Sequence, residues 1–145
     1  MYREIKYEGQ LLAIIVSNEY SDGGIHFFTP DDFSQQLAFM KHPAGKVIQP
    51  HVHNPVKREV HYTKEVLFIR RGKVRIDFYT NSRKYLESFI LNTGDVILLS
   101  EGGHGFVMLE ESEIIEVKQG PYAGERDKTR FETGENTNIR YFGDE

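Results

Sequence analysis

The chain has 145 residues, of which 39% are hydrophobic and 28% charged, with no cysteine and a formal net charge of −4. This length suits a single domain with its own core, and the lack of cysteine excludes disulfides, thiolate metal ligands and a cysteine nucleophile. The negative net charge argues against nucleic-acid binding, which needs a basic surface. No apolar run approaches the ~20 residues that span a bilayer, and no secretory signal is visible. We therefore expect a cytoplasmic protein that binds a small molecule.

Short apolar runs divided by turn residues begin near the N-terminus. Residues 11–16 and 25–28 flank the turn cluster at 21–24 (SDGG), a pattern that predicts an opening hairpin. A further strand is predicted over residues 36–41, before a turn at 43–45.

Three later pairs of apolar runs each flank a turn and are predicted to form hairpins. These pairs are 66–69 with 74–79, 85–91 with 96–99, and 106–109 with 114–117. Many short strands with frequent turns are typical of an all-β sandwich or barrel, and periodicity does not choose between the two. The composition turns polar near the C-terminus, so we expect one domain over 1–120 and a tail over 121–145 that packs partly on it.

Two histidines one residue apart, His51 and His53, give the strongest functional signal. Side chains at positions i and i+2 of a strand share a face, so both imidazoles can point into one cavity. Histidine is the commonest protein metal ligand, and a carboxylate adds charge neutralisation for a divalent cation. Glu65 opens a predicted strand and can supply that carboxylate, while His104 comes from a distant glycine-rich loop at 101–105. These residues predict a metal site of imidazole and oxygen ligands.

Other interpretations of the same residues remain open at this point. The histidine pair can lie on a solvent-facing strand, Glu65 can form an ion pair with an arginine, and His104 can be an exposed loop residue. His61 becomes the alternative ligand if the segment 54–64 folds inward.

Two spacings resemble the two signatures of the cupin family, namely Gly45-x5-His51-x-His53 with Glu65-x6-Gly72, and Gly94-x5-Ser100-x-Gly102-x-His104. The resemblance implies a jelly-roll β-barrel in which one divalent transition metal, such as Fe, Mn, Ni or Zn, is held by four ligands. It carries that role onto His51, His53, Glu65 and His104. Residues 54–64 make the spacing between the second histidine and the glutamate longer than is usual in the family.

The resemblance also implies a function and an assembly. We expect a metal-dependent enzyme that acts on a small polar metabolite such as a sugar or sugar derivative, as an isomerase, an epimerase or a dioxygenase. Tyr62 and His61 are candidate catalytic groups because segment 54–64 can overhang the site. A non-catalytic binding module with a structural metal is the main alternative, and a metal-free barrel that binds a nucleotide-linked sugar is a third. Cupins commonly form homodimers, and we expect residues 11–16 at that interface.

Overall fold

The computed structural model describes residues 1–144, and their secondary structure is almost entirely β-strand. The all-β class predicted from the sequence is therefore confirmed. The strands are β1 (Tyr2–Tyr7), β2 (Gln10–Val16), β3 (Gly24–Phe27), β4 (Ala38–Lys41), β5 (Glu65–Arg71), β6 (Lys73–Tyr79), β7 (Tyr85–Asn92), β8 (Val96–Leu99), β9 (Gly103–Met108), β10 (Glu113–Lys118) and β11 (Ile139–Arg140), with a short 3-10 helix at Gly124–Asp127.

The strands form two main sheets and one separate hairpin. The first sheet has the order β1-β2-β8-β5-β10, the second has the order β11-β7-β6-β9, and β3 pairs with β4. All pairs are antiparallel except β11 with β7. In this strand order β9 forms one edge of the second sheet.

The two sheets bury their apolar faces against each other in one core. Leu67 and Ile69 of the first sheet belong to the same buried cluster as Phe78 and Phe89 of the second. Burial alternates along β5 because side chains at i and i+2 share a face, and this period also turns Glu65 inward. Burying each of these large apolar side chains stabilises the fold by roughly 1.5–3 kcal/mol.

The four predicted hairpins are wrong, because the strands on either side of each predicted turn belong to different sheets. Strand β5 pairs with β8 and β10, whereas β6, which follows it at Gly72, pairs with β7 and β9. The same separation holds for β7 and β8, for β9 and β10, and for β2 and β3. A period of two reports which face of a strand is buried and not which strand lies beside it.

Gly72 makes the first of these crossings possible. Its φ of +102° is a conformation that L side chains rarely adopt, and an added Cβ would lie 2.6 Å from the backbone oxygen of Glu111. The chain can therefore leave the first sheet and enter the second within one residue.

Two further expectations concern residues 11–16 and the tail. Residues 11–16 do not form an exposed edge, because β2 lies between β1 and β8 and residues 12–16 are buried. The dimer interface expected there is therefore wrong.

The tail contacts the second sheet. Phe142 packs against Phe89 with ring centroids 5.0 Å apart, and Phe131 packs against Tyr79 with ring centroids 5.1 Å apart. Within residues 1–144 there is no helix long and apolar enough to cross a membrane.

Residues 42–64, which we call the arm, connect β4 to β5 and contain no strand or helix. The structure thus corrects the expectation that His51 and His53 lie on a strand. Every residue from 43 to 62 is exposed to solvent.

Candidate metal centre

Glu65 and His104, two of the four predicted ligands, lie in direct contact. Glu65 is the first residue of β5 in the first sheet, as predicted, and His104 is the second residue of β9 at the edge of the second sheet. The predicted loop at 101–105 is therefore wrong for residues 103–105, because these residues pair with β6 as a strand. The His104 Nε2 atom lies 2.8 Å from Oε1 of Glu65. An ionised carboxylate has only acceptor atoms, so the imidazole donates this hydrogen bond.

The carboxylate of Glu65 is held in its charged form. Burial alone would raise its pKa, but the hydrogen bond from His104 and nearby positive charge, including Lys118, lower that pKa to about 2. Lys118 Nζ lies 3.6 Å from Glu65 Oε2 and 2.9 Å from an oxygen of Glu116. The hydrogen bond to Glu116 raises the pKa of Lys118, so the amine remains a cation at neutral pH.

The contact between Glu65 and His104 fits two neighbouring ligands of one metal ion. Nitrogen and oxygen ligands lie at ~2.1 Å from a transition metal, so two of them at a right angle are ~3 Å apart. The observed separation of 2.8 Å is close to that value. A metal ion between them would have to replace the proton that Nε2 of His104 donates to Glu65.

His51 and His53 lie next to each other on the arm. Their ring centroids are 5.2 Å apart, close to the ~5 Å expected for two imidazoles on one ion. Nδ1 of His51 lies 2.9 Å from the carbonyl oxygen of Gln49, which requires the proton on Nδ1 and leaves Nε2 as the ligand atom. The four predicted ligands thus lie as two close pairs.

The structure does not bring the two pairs together. Among residues 1–144, no three histidine, aspartate or glutamate side chains are grouped closely enough to hold a metal ion. The pair on the arm is exposed, whereas Glu65 is buried beneath His104. The four predicted ligands therefore lie in two separate places. Glu65 and His104 form one pair at the sheets, and His51 and His53 form the other on the arm.

Glu65 and His104 border a cleft along β9 whose walls combine charged and polar side chains with apolar surface. The cleft has a volume of about 1320 Å³, larger than a small metabolite requires. Residues 103–107 line it, with Glu116 and Lys118 of β10 on one side and parts of the tail (127–131 and 133–137) on the other. Tyr62 also lines this cleft, whereas His61 lines a separate depression and lies 3.6 Å from Glu59.

Searches with protein-family models, among curated proteins and among solved structures returned no match to this chain. Membership of the cupin family therefore stays a prediction from the two motifs. The geometry of the cleft is the basis for the function proposed below.

Several polar groups in this cleft were not predicted from the sequence. Lys118 lies opposite Glu65 in the pairing of β10 with β5, and Arg75 donates two hydrogen bonds to Asp77 at 2.9 and 3.1 Å. Asn136 of the tail donates to the same carboxylate at 3.1 Å. The sequence shows that Arg75 and Asp77 of β6 share a face, as do Glu116 and Lys118 of β10. It does not show which strands lie beside β6 and β10, and this pairing is what brings the four side chains to one cleft.

Proposed function

We propose that this protein is a metal-dependent enzyme of the cupin type that acts on a small polar metabolite. One divalent transition metal ion would be held by Glu65 and His104 together with His51 and His53. The observation that carries the proposal is the 2.8 Å contact between Glu65 and His104 at the wall of an open cleft that also carries charged side chains. Two residues chosen from separate sequence motifs meet there with the separation of two metal ligands.

The arrangement of the sheets supports the jelly-roll part of the proposal. Four of the five connections from β5 to β10 cross between the first sheet and the second, and only β6 and β7 pair within one sheet. Repeated crossing between two sheets is a feature of double-sheet jelly rolls. The second sheet ends at β9, which pairs only with β6 within residues 1–144. Residues 51 and 53 share a face of any strand that contains them, so a strand formed by the arm beside β9 would bring both histidines to the face of His104 in one of its two possible facings.

The groups around the cleft support chemistry on a polar substrate. A bound metal of this kind polarises a carbonyl or hydroxyl oxygen, activates water, or binds dioxygen when it is iron. Glu65 supplies negative charge against the cation, and Lys118 presents a positive charge to an anionic or polarised oxygen of the substrate. Tyr62 offers a hydroxyl group at the mouth of the cleft. The polar side chains of the cleft can hydrogen-bond to the hydroxyl groups of a sugar or sugar derivative. The proposed reaction on such a substrate is that of an isomerase, an epimerase or an oxygenase.

The alternative function is a non-catalytic binding module in which the metal is structural. Structural sites have a closed coordination sphere, whereas catalytic sites keep a position open to water or substrate. The His104 side chain retains 30% of its exposure and faces the cleft. The cleft beside His104 has room for a substrate, which supports catalysis over a structural role.

A titration of metal-free protein with Co²⁺, followed by visible absorption, tests the site. We expect saturation near one ion per chain in the wild type and at least a 10-fold weaker affinity in Glu65→Gln and in His104→Ala. His26→Ala is the matched control, because His26 bonds to Gly23 on the separate hairpin. Equal affinity in all four proteins would contradict the proposed ligands.

A second experiment separates the enzyme from the binding module. Metal-loaded protein is incubated with a panel of sugars and sugar derivatives, with and without oxygen, and the products are followed by NMR. Conversion that is lost in Glu65→Gln supports catalysis. Saturable binding of a sugar without conversion of any panel member would favour the structural alternative.

A further inference from the structure

The outer edge of β9 is a position for one more strand. In the part of the chain that the structure describes, β9 has a neighbour on the β6 side only. Backbone groups along such an edge require hydrogen-bond partners, and natural proteins cover exposed edges. The cleft follows this edge from Gly103 to Val107, between β10 and the tail. It is therefore a slot whose wall is an unpaired strand.

The arm has the composition of a strand that lacks its sheet. Its exposed side chains include Val47 and Val52, which retain 74% and 84% of their surface, with Ile48 between them. Exposing several apolar side chains close together in water is unfavourable. Such a group of exposed apolar residues marks a surface that binds a partner. The two histidines of the arm lie on either side of Val52.

We propose that two copies of the chain exchange arms, so that residues 47–54 of each copy pair as a strand with β9 of the other. His51 and His53 of one copy then complete the centre begun by Glu65 and His104 of the other, and this part rests on the proposed metal function. Val52 points to the opposite face, the face that Val107 occupies on β9, because side chains alternate along a strand.

The surface of the β3–β4 hairpin favours a second copy over the chain's own arm. Ile25, Phe27 and Met40 of this hairpin are exposed, and Phe28 packs on Tyr2 of β1, at the opposite edge of the first sheet from β10. An arm folded into its own slot would leave these side chains in water. Since β4 runs directly into the arm, docking on a second copy carries the hairpin against that copy as well.

The exchange is also self-limiting. Each copy has one arm and one slot, so two copies related by a two-fold axis satisfy both arms and both slots. Reciprocal exchange closes the assembly at two copies and covers the outer edge of β9 in each. We expect a solution mass of twice the 16.8 kDa of one chain.

Cross-linking tests the exchange without reference to metal. The chain has no cysteine, so a Val52→Cys, Val107→Cys double variant carries only the two thiols of interest. Oxidation of metal-free protein is expected to give covalent dimers on denaturing gels, since each disulfide joins two chains. Covalently closed monomers, or a monomeric mass by light scattering, would overturn the proposal. A Val56→Cys, Val107→Cys variant is the control and should cross-link much less.

Complementation then tests the shared centre. One chain carries His51→Ala and His53→Ala, the other carries Glu65→Gln and His104→Ala, and differently tagged copies are purified as a mixed dimer. With exchange, the mixed dimer has one intact set of ligands and binds one Co²⁺ ion, whereas each variant alone binds none. A mixed dimer that binds none while the wild type does would overturn the shared centre.

The two experiments separate failure of this proposal from failure of the proposed function. Covalent dimers without Co²⁺ binding in the wild type would support exchange and refute the metal site. A wild-type monomer that binds Co²⁺ through all four residues would refute exchange and leave the metal site intact.

Discussion

The charge of Glu65 makes a pH-dependent contribution to the stability of the metal-free protein. Its pKa in the fold is about 2, compared with an ordinary value of 4.5. A carboxyl group whose pKa is lowered by folding stabilises the fold above its unfolded pKa, and that stabilisation is lost as the pH falls toward the folded pKa. The window therefore runs from about pH 4.5 down to about pH 2.

The magnitude follows from the size of this shift. A difference of 4.5 − 2, or about 2.5 pKa units, corresponds to ~3 kcal/mol of unfolding free energy at ~1.36 kcal/mol per unit. Solvent in the open cleft screens the pair, which reduces our expectation to ~1–2 kcal/mol. Glu65→Gln removes the charge but keeps the shape of the side chain, so the variant should be less stable by this amount at pH 7.

Urea unfolding in EDTA, at pH 7 and at pH 3, measures the effect. We expect the stability difference between wild type and Glu65→Gln to fall by more than half at pH 3. At that pH the unfolded wild-type chain binds a proton at Glu65, which removes most of the stabilisation by the Glu65 charge. Glu132→Gln, at an exposed position on the tail, is the control and should show no such difference. A difference that is the same at both pH values would refute the assignment of the effect to the Glu65 charge.

Two further predictions concern the packing that positions the site. Gly72→Ala should destabilise the protein by about 3 kcal/mol, since it combines a positive φ with a Cβ contact of 2.6 Å to backbone; Gly134→Ala, where a Cβ meets nothing within 4 Å, should leave the melting temperature nearly unchanged. Phe78→Ala should cost about 3–5 kcal/mol in chemical denaturation because Phe78 is fully buried between the sheets. Val56→Ala on the exposed arm is its control, and equal losses in the two variants would contradict the described core.

The sequence allowed the fold class to be predicted but not the pairing of strands. Alternating apolar residues in β5 and β6 revealed which side chains are buried. The pattern is the same whether two successive strands pair with each other or lie in facing sheets. Hairpins were therefore expected where the chain crosses between sheets, as it does at Gly72.

The candidate centre was predictable to a similar degree. Glu65 and His104 were chosen from separate sequence motifs and lie in contact, but His104 was expected on a loop and lies on β9. His51 and His53 were expected on a strand, but alternation alone does not form a strand without a neighbouring edge to bond with. Lys118 escaped prediction because its place opposite Glu65 depends on the pairing of β10 with β5.

Elemental analysis of the purified protein tests the metal site most directly. The protein is compared with the His51→Ala, His53→Ala double variant, with His26→Ala as control, and the metal-to-chain ratio is measured for each. We predict a ratio near one transition metal ion per chain in wild type and control and near zero in the double variant. Iron would direct assays to oxygen chemistry, and zinc, nickel or manganese to isomerisation. A ratio near zero in every protein, even after reconstitution with each metal, would contradict the account.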